Sequence, residues 1–196
     1  MNSLGAFENT SGTLVVSDPC YTLSDWCLIQ LQNVKKGTWN AYVKYSDEGQ
    51  WGTRCAEIMA LHKLKRNPTW ESIGVIGVDS GQAGIFDILV FQNDATVEPR
   101  EKTFLPEEPW YSSCCDITLA ENQAGVIPGG AVASSGYGDG VYEVFVSKNN
   151  DGEIAGVLIV FIEEEDEEEE EDEFLVPDTD GNEVDEDDEF LVPDTN

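Results

Sequence analysis

Between residues 13 and 162 the apolar positions come in short runs, many with a period of two, broken by Gly, Asn, Asp and Pro. That pattern belongs to antiparallel β-structure and predicts strands at 13–17, 26–32, 38–46, 73–79, 131–135, 141–147 and 153–162. In the 38–46 run Trp39, Ala41, Val43 and Tyr45 share one face, while Asn40, Lys44 and Ser46 lie on the other and Tyr42 breaks the alternation. One face of this strand is therefore expected to be buried. The clearest pair is 141–147 with 153–162, joined by Lys-Asn-Asn-Asp-Gly, whose Asn and Gly tolerate the positive φ of a tight hairpin turn. Segment 54–65 supports two periods: Ala56, Ile58, Ala60 and Leu64 alternate like a strand, whereas Cys55, Ile58, Met59 and His62 share a helical face. The stretch 97–116 carries Pro99, Pro106 and Pro109 and reads as an extended surface loop pinned by Phe104, Trp110 and Tyr111. The expected fold is mostly β: one antiparallel domain over residues 1–162, sandwich-like or barrel-like, with room for one short helix.

The pattern stops after Ile162. Residues 163–173 are eleven consecutive acids, which repel one another and bury no apolar surface to offset the entropy of ordering. Residues 163–196 are thus expected to form a disordered acidic tail. Within it the hexamer Phe-Leu-Val-Pro-Asp-Thr occurs twice, at 174–179 and 190–195. Phe174, Leu175 and Val176, with Phe190, Leu191 and Val192, are candidate partner-binding anchors, two short linear motifs that gain avidity from the pair. The alternatives are a tail that only solvates the protein, or a triplet that folds back on the domain.

Charge sharpens this division. The chain has 40 acids and 10 bases, a net charge of −30, and 20 of the acids but none of the bases follow Ile162. Such a balance argues against direct contact with nucleic acid, whose affinity comes from Lys and Arg displacing counterions, and against anionic membranes. It leaves a basic or groove-bearing protein as the expected partner. No basic segment precedes an apolar run at the start, and no stretch is long and apolar enough to span a bilayer, so a soluble, cytoplasmic protein is expected. The odd set of five cysteines suits a reducing compartment with free thiols.

Candidate chemistry centres on Asp79 and Asp139, two glycine-framed acids where strands meet turns. Brought together, they would do general acid/base work or hold a cation. The plainer reading gives Gly81, Gly84, Gly136, Gly138 and Gly140 positive φ and lets the two aspartates cap turns through backbone N–H groups. Zinc is not expected, because His62 is the single histidine and the cysteines lack ligand spacing. The glycines form no phosphate-binding motif. In the tail Asp178, Asp180, Asn182 and Glu189 imitate a calcium loop, but Glu183 stands where its turn needs Gly. No cofactor is expected.

Three blocks taken in order carry a likeness. They are Ser11-Gly12 with Asp18-Pro19 and Lys36-Gly37; residues 78–87, Val-Asp-Ser-Gly-Gln-Ala-Gly-Ile-Phe-Asp; and residues 135–142, Ser-Gly-Tyr-Gly-Asp-Gly-Val-Tyr. Over about residues 11–162 the chain resembles the bacterial family known as domain of unknown function 4241. The resemblance implies a compact β-rich domain, favours a strand at 54–65, and supplies no activity. The sequence as a whole points to a non-enzymatic binding or modulator protein. The alternative is a hydrolase or small-ligand-binding domain using Asp79 and Asp139, with Tyr137 or Tyr142 nearby.

Overall fold

The computed structural model describes residues 1–65, 67–98, 105 and 107–163. The tail with both Phe-Leu-Val triplets, and Pro99, Phe104 and Pro106, lie outside the described residues. Eleven strands are described: β1 (Asn2–Asn9), β2 (Leu14–Ser17), β3 (Ile29–Leu31), β4 (Gly37–Asp47), β5 (Thr53–His62), β6 (Glu71–Val78), β7 (Gln82–Asp87), β8 (Ala124–Ile127), β9 (Gly130–Ser134), β10 (Gly140–Lys148) and β11 (Ile154–Val160). The helix α1 (Pro109–Thr118) joins them. They form two antiparallel sheets, ordered β1-β4-β5-β11-β10-β6 and β3-β2-β7-β9-β8.

The sheets face each other across a core of alternating inward residues: Trp39, Ala41 and Val43 of β4, Ile58 and Ala60 of β5, Val144 and Val146 of β10, against Leu14, Val16, Ala83 and Ile85. The five-stranded sheet also buries its other face. There Val15, Phe86 and Val132 pack with Phe91 and with Trp110 and Cys114 of α1. The result is three layers, sheet on sheet on helix. It explains why β2 and β7 lack a polar face: a strand covered on both sides does not alternate.

The hairpin of β10 and β11 forms as expected, and β5 settles segment 54–65 as a strand. Tyr42 breaks the alternation of β4 because the outer face of the large sheet carries an apolar row, Tyr42, Met59, Leu158 and Phe145, in register across four strands. Other expectations need correction. β1, β7 and β8 were not anticipated: β1 is poor in apolar residues, β8 is four residues long, and β7 hides in a glycine-rich block. The 97–116 stretch is not loop throughout, since Pro109 starts α1 at a position where its missing N–H costs nothing. The strand expected at 26–32 shortens to β3, which leaves Trp26 in a loop.

Candidate functional site

Two corners of the fold meet where β6 ends and β10 begins. Val78 and Gly140 are paired across the ladder, so Asp79 and Asp139 lie just past the same rung. The turn after β6 is held by Asp18, which is fully buried. Its Oδ2 accepts from the N–H groups of Asp79 (2.9 Å) and Ser80 (2.6 Å), and its Oδ1 from Ser80 Oγ (2.6 Å) and Cys20 N–H (2.8 Å). The loop before β10 is held by Ser135 and Tyr142. Ser135 Oγ donates to the Gly138 carbonyl at 2.8 Å, and the Tyr142 hydroxyl donates between the carbonyls of Ser135 and Gly138, at 2.9 and 2.7 Å. Ser135 N–H donates to Gly81 O at 3.1 Å, which ties the two turns together.

Turn capping therefore belongs to Asp18, Ser135 and Tyr142, not to Asp79 and Asp139 as the sequence suggested. The carboxylates of Asp79 and Asp139 cap no backbone N–H among the described residues, and both residues are exposed. The glycine expectation is met at Gly81, Gly136 and Gly138, where φ is +72°, +58° and +113°. It fails at Gly84 and Gly140, which sit in strands with ordinary φ. Gly84 is there for space: a Cβ on it would lie 2.3 Å from the Phe86 ring and 2.4 Å from the Ala131 carbonyl oxygen.

Asp79 and Asp139 line one open groove of about 540 Å³ together with Tyr21, Asp25, Trp26, Cys27 and Val141. Its wall is the loop between β2 and β3, fixed at one end by Asp18 and at the other by Gly77 N–H donating to the Cys27 carbonyl at 2.9 Å. Gly77 permits this approach, since a Cβ on it would lie 3.1 Å from that of Cys27. Trp26 is 95% exposed, and Val141, which also lines the groove, is 69% exposed. Burial pushes the Tyr21 phenol up, and the neighbouring Asp79 and Cys27 push it further, so it stays protonated beside the carboxylate. Asp25 accepts from Thr22 N–H at 2.6 Å. No Lys or Arg lines the groove.

The remaining candidates separate from this place. Tyr137 is not among the groove residues, and its hydroxyl is bonded to Glu48. Burial pushes the Cys55 thiol up to about 12, and although Cys20 is an exposed residue, partial desolvation of its thiol and the Asp18 carboxylate raise it to about 12 as well. Burial, with Cys115 and Asp18 nearby, raises Cys114 as well. Thiols in that state are poor nucleophiles. His62 ends β5 inside the core, edge-on to Trp39. Its Nδ1 accepts from Leu64 N–H at 3.3 Å, its ring bonds the Lys36 backbone, and burial holds it below the usual imidazole range. A second cavity beside it, about 260 Å³, is lined by Lys35, Lys65 and Asn149. Lys35 pairs with Glu153 at 2.6 Å and Lys65 donates to the Lys148 carbonyl at 2.6 Å, so these cations are engaged within the fold. Among the described residues no group of three or more His, Cys, Asp or Glu side chains is arranged to hold a metal ion. No helix among them is long and apolar enough to cross a membrane.

The sequence pointed to Asp79 and Asp139, and to Trp26 as one of five tryptophans able to stack a ligand but expected in the core, yet did not single out Tyr21 and Asp25; these join the aspartates only because Asp18 folds their loop over the end of β6. It also missed Asp87, the second buried aspartate. Its Oδ2 accepts from Thr10 N–H (2.6 Å), Thr10 Oγ1 (3.0 Å) and Ser11 N–H (3.1 Å), and its Oδ1 from Leu89 N–H (3.0 Å). The nearest signal was position: both buried aspartates stand at the end of a short, mostly apolar strand, Asp18 just past Ser17 of β2 and Asp87 as the last residue of β7.

Among known families, the model described as Protein of unknown function (DUF4241) matches residues 7–159. No curated protein and no solved structure matches the chain.

Proposed function

From the premise that this chain belongs to the DUF4241 family, whose description assigns no activity, we propose that it is a non-enzymatic binding protein whose groove takes a cationic side chain of a partner protein. One observation carries this reading: Asp25, Asp79, Asp139 and an exposed tryptophan line one groove that no Lys or Arg lines. Carboxylates and an aromatic face are the two features that attract a guanidinium or ammonium group. The five free thiols suit a reducing, cytoplasmic setting.

The hydrolase alternative has less support. It asks for Tyr137 or Tyr142 beside the aspartates, yet Tyr137 is paired with Glu48 and Tyr142 locks its own loop. Efficient acid/base work also favours carboxyls tuned by desolvation, and this pair faces water.

Magnitudes show that the groove needs help. An exposed cation–π contact contributes about 0.5–1 kcal/mol, and each exposed ion pair about 0.2–1 kcal/mol. With one cation held by Asp79 and Asp139 the total reaches at most about 3 kcal/mol, below the roughly 4 kcal/mol that even a millimolar complex requires. The groove therefore selects and orients a partner that is held over a wider surface, and the duplicated Phe-Leu-Val triplets of the tail are one source of further contact in this reading.

The test is a nuclear magnetic resonance titration of the full chain with a short arginine peptide and with its glutamate counterpart. The arginine peptide is expected to shift the Trp26 indole N–H; the glutamate peptide is not. Asp79→Asn with Asp139→Asn is expected to abolish the shift. An unshifted indole, or a shift that survives the double substitution, ends the proposal.

A further inference from the structure

The strand beneath the groove has an open side. β6 closes one end of the six-stranded sheet and pairs with β10 alone. Gly77 points its N–H away from β10, toward the Cys27 carbonyl. An antiparallel strand repeats every two residues, so the N–H and C=O of Val75 point to the same open side. No described residue takes them, and Val75 is 51% exposed. The loop thus bonds the first outward-facing amide of the edge, and although the Ile29 side chain reaches Gly74, the next outward-facing amide, that of Val75, has no hydrogen-bond partner among the described residues.

Exposed edges are usually blunted by Lys, Pro or a bulge. β6 reads Glu-Ser-Ile-Gly-Val-Ile-Gly-Val, with no Lys and no Pro. Its one irregularity lies between Ser72 and Gly74, before Val75, and leaves the last four residues in regular register with β10. Charge says what fits there. Glu143 is the cross-strand neighbour of Val75, and Asp79 and Asp139 follow at the strand's end. A second copy of this chain, itself strongly acidic, is repelled; a basic segment is attracted.

We propose that the free edge of β6 accepts an extended, basic segment of a partner protein as an added strand, its main chain bonded at Val75 and a Lys or Arg side chain seated in the groove with Asp79 and Asp139. Backbone pairing gives affinity without regard to sequence, and the groove gives the preference for a cation. The inference rests on the cation-binding reading of the groove and adds to it the partner's conformation.

In the full chain, a short peptide of alternating arginine and valine is expected to slow hydrogen exchange at the Val75 amide and to shift the Trp26 indole together. The same peptide methylated at alternate main-chain nitrogens is expected to bind about tenfold more weakly, the effect of losing one or two main-chain hydrogen bonds. Val75→Pro, which deletes the outward N–H at an edge position, is expected to weaken the plain peptide similarly. Equal binding of plain and methylated peptides, or no protection at Val75, overturns strand addition whether or not the proline variant folds. The groove reading fails separately, if free arginine amide leaves Trp26 of the unmodified chain unmoved.

Discussion

Asp87 is 1% exposed and its carboxylate accepts four hydrogen bonds, so its ionisation is coupled to folding. Burial by itself pushes this carboxyl up, but the bonds from Ser11, Leu89 and Thr10 outweigh it and leave the group below its ordinary value. A depressed folded value means that the stabilisation is complete above the unfolded carboxyl's titration, near about 3.9, and drains away as pH falls through the folded one. Asp87→Asn turns an amide N–H₂ toward backbone donors. It is expected to cost about 2–3 kcal/mol at neutral pH. Urea denaturation at a series of pH values should show the gap between the two proteins narrowing below about pH 4. Asp18 performs the same kind of anchoring for the groove wall. Neither residue announced itself by type, because a buried, fully bonded aspartate and a solvated one look alike until the donors around it are known.

At the scale of elements, β7 shows how layering constrains a strand. Ala83 and Ile85 face one core and Phe86 the other, and the Phe86 ring lies over two glycines, Gly84 of its own strand and Gly130 of β9. Gly84→Ala is expected to lower stability by about 3 kcal/mol, at the upper end for overpacking, because one of its two clashes is with a backbone carbonyl that cannot rotate away. The shift in urea midpoint measures it. Half-buried strands such as β4 were legible from alternation, and the β10–β11 hairpin from its turn residues. β7 was not, since a strand covered on both faces presents no polar phase, and the glycines that admit the Phe86 ring read as turn residues. The same ambiguity hid α1: prolines at 99, 106 and 109 mark breaks, and only the docking of Trp110 against Phe86 and Phe91 makes the last of them a helix start.

For the whole molecule, the charge is split between a domain of moderate charge and a tail that holds 20 acids and no base. Long-range attraction of a basic partner falls with ionic strength, whereas apolar anchors and main-chain pairing do not. Replacing Phe174, Leu175, Val176, Phe190, Leu191 and Val192 by Ala in the full chain leaves every charge in place. It is expected to weaken capture of a protein partner in pull-downs at physiological salt; retention of every partner removes the tail motifs from the account. The sequence by itself determined the β class, the alternation of the outer strands, the hairpin and the place where the charge changes, because these depend on near neighbours along the chain. Only the tertiary structure decided that Asp79 and Asp139 open onto one groove, that Trp26 lines it with them and that the edge of β6 is free. Those facts depend on which strands become neighbours and where one buried carboxylate pins a loop, and hydrogen bonds that span some sixty positions leave no periodicity to read.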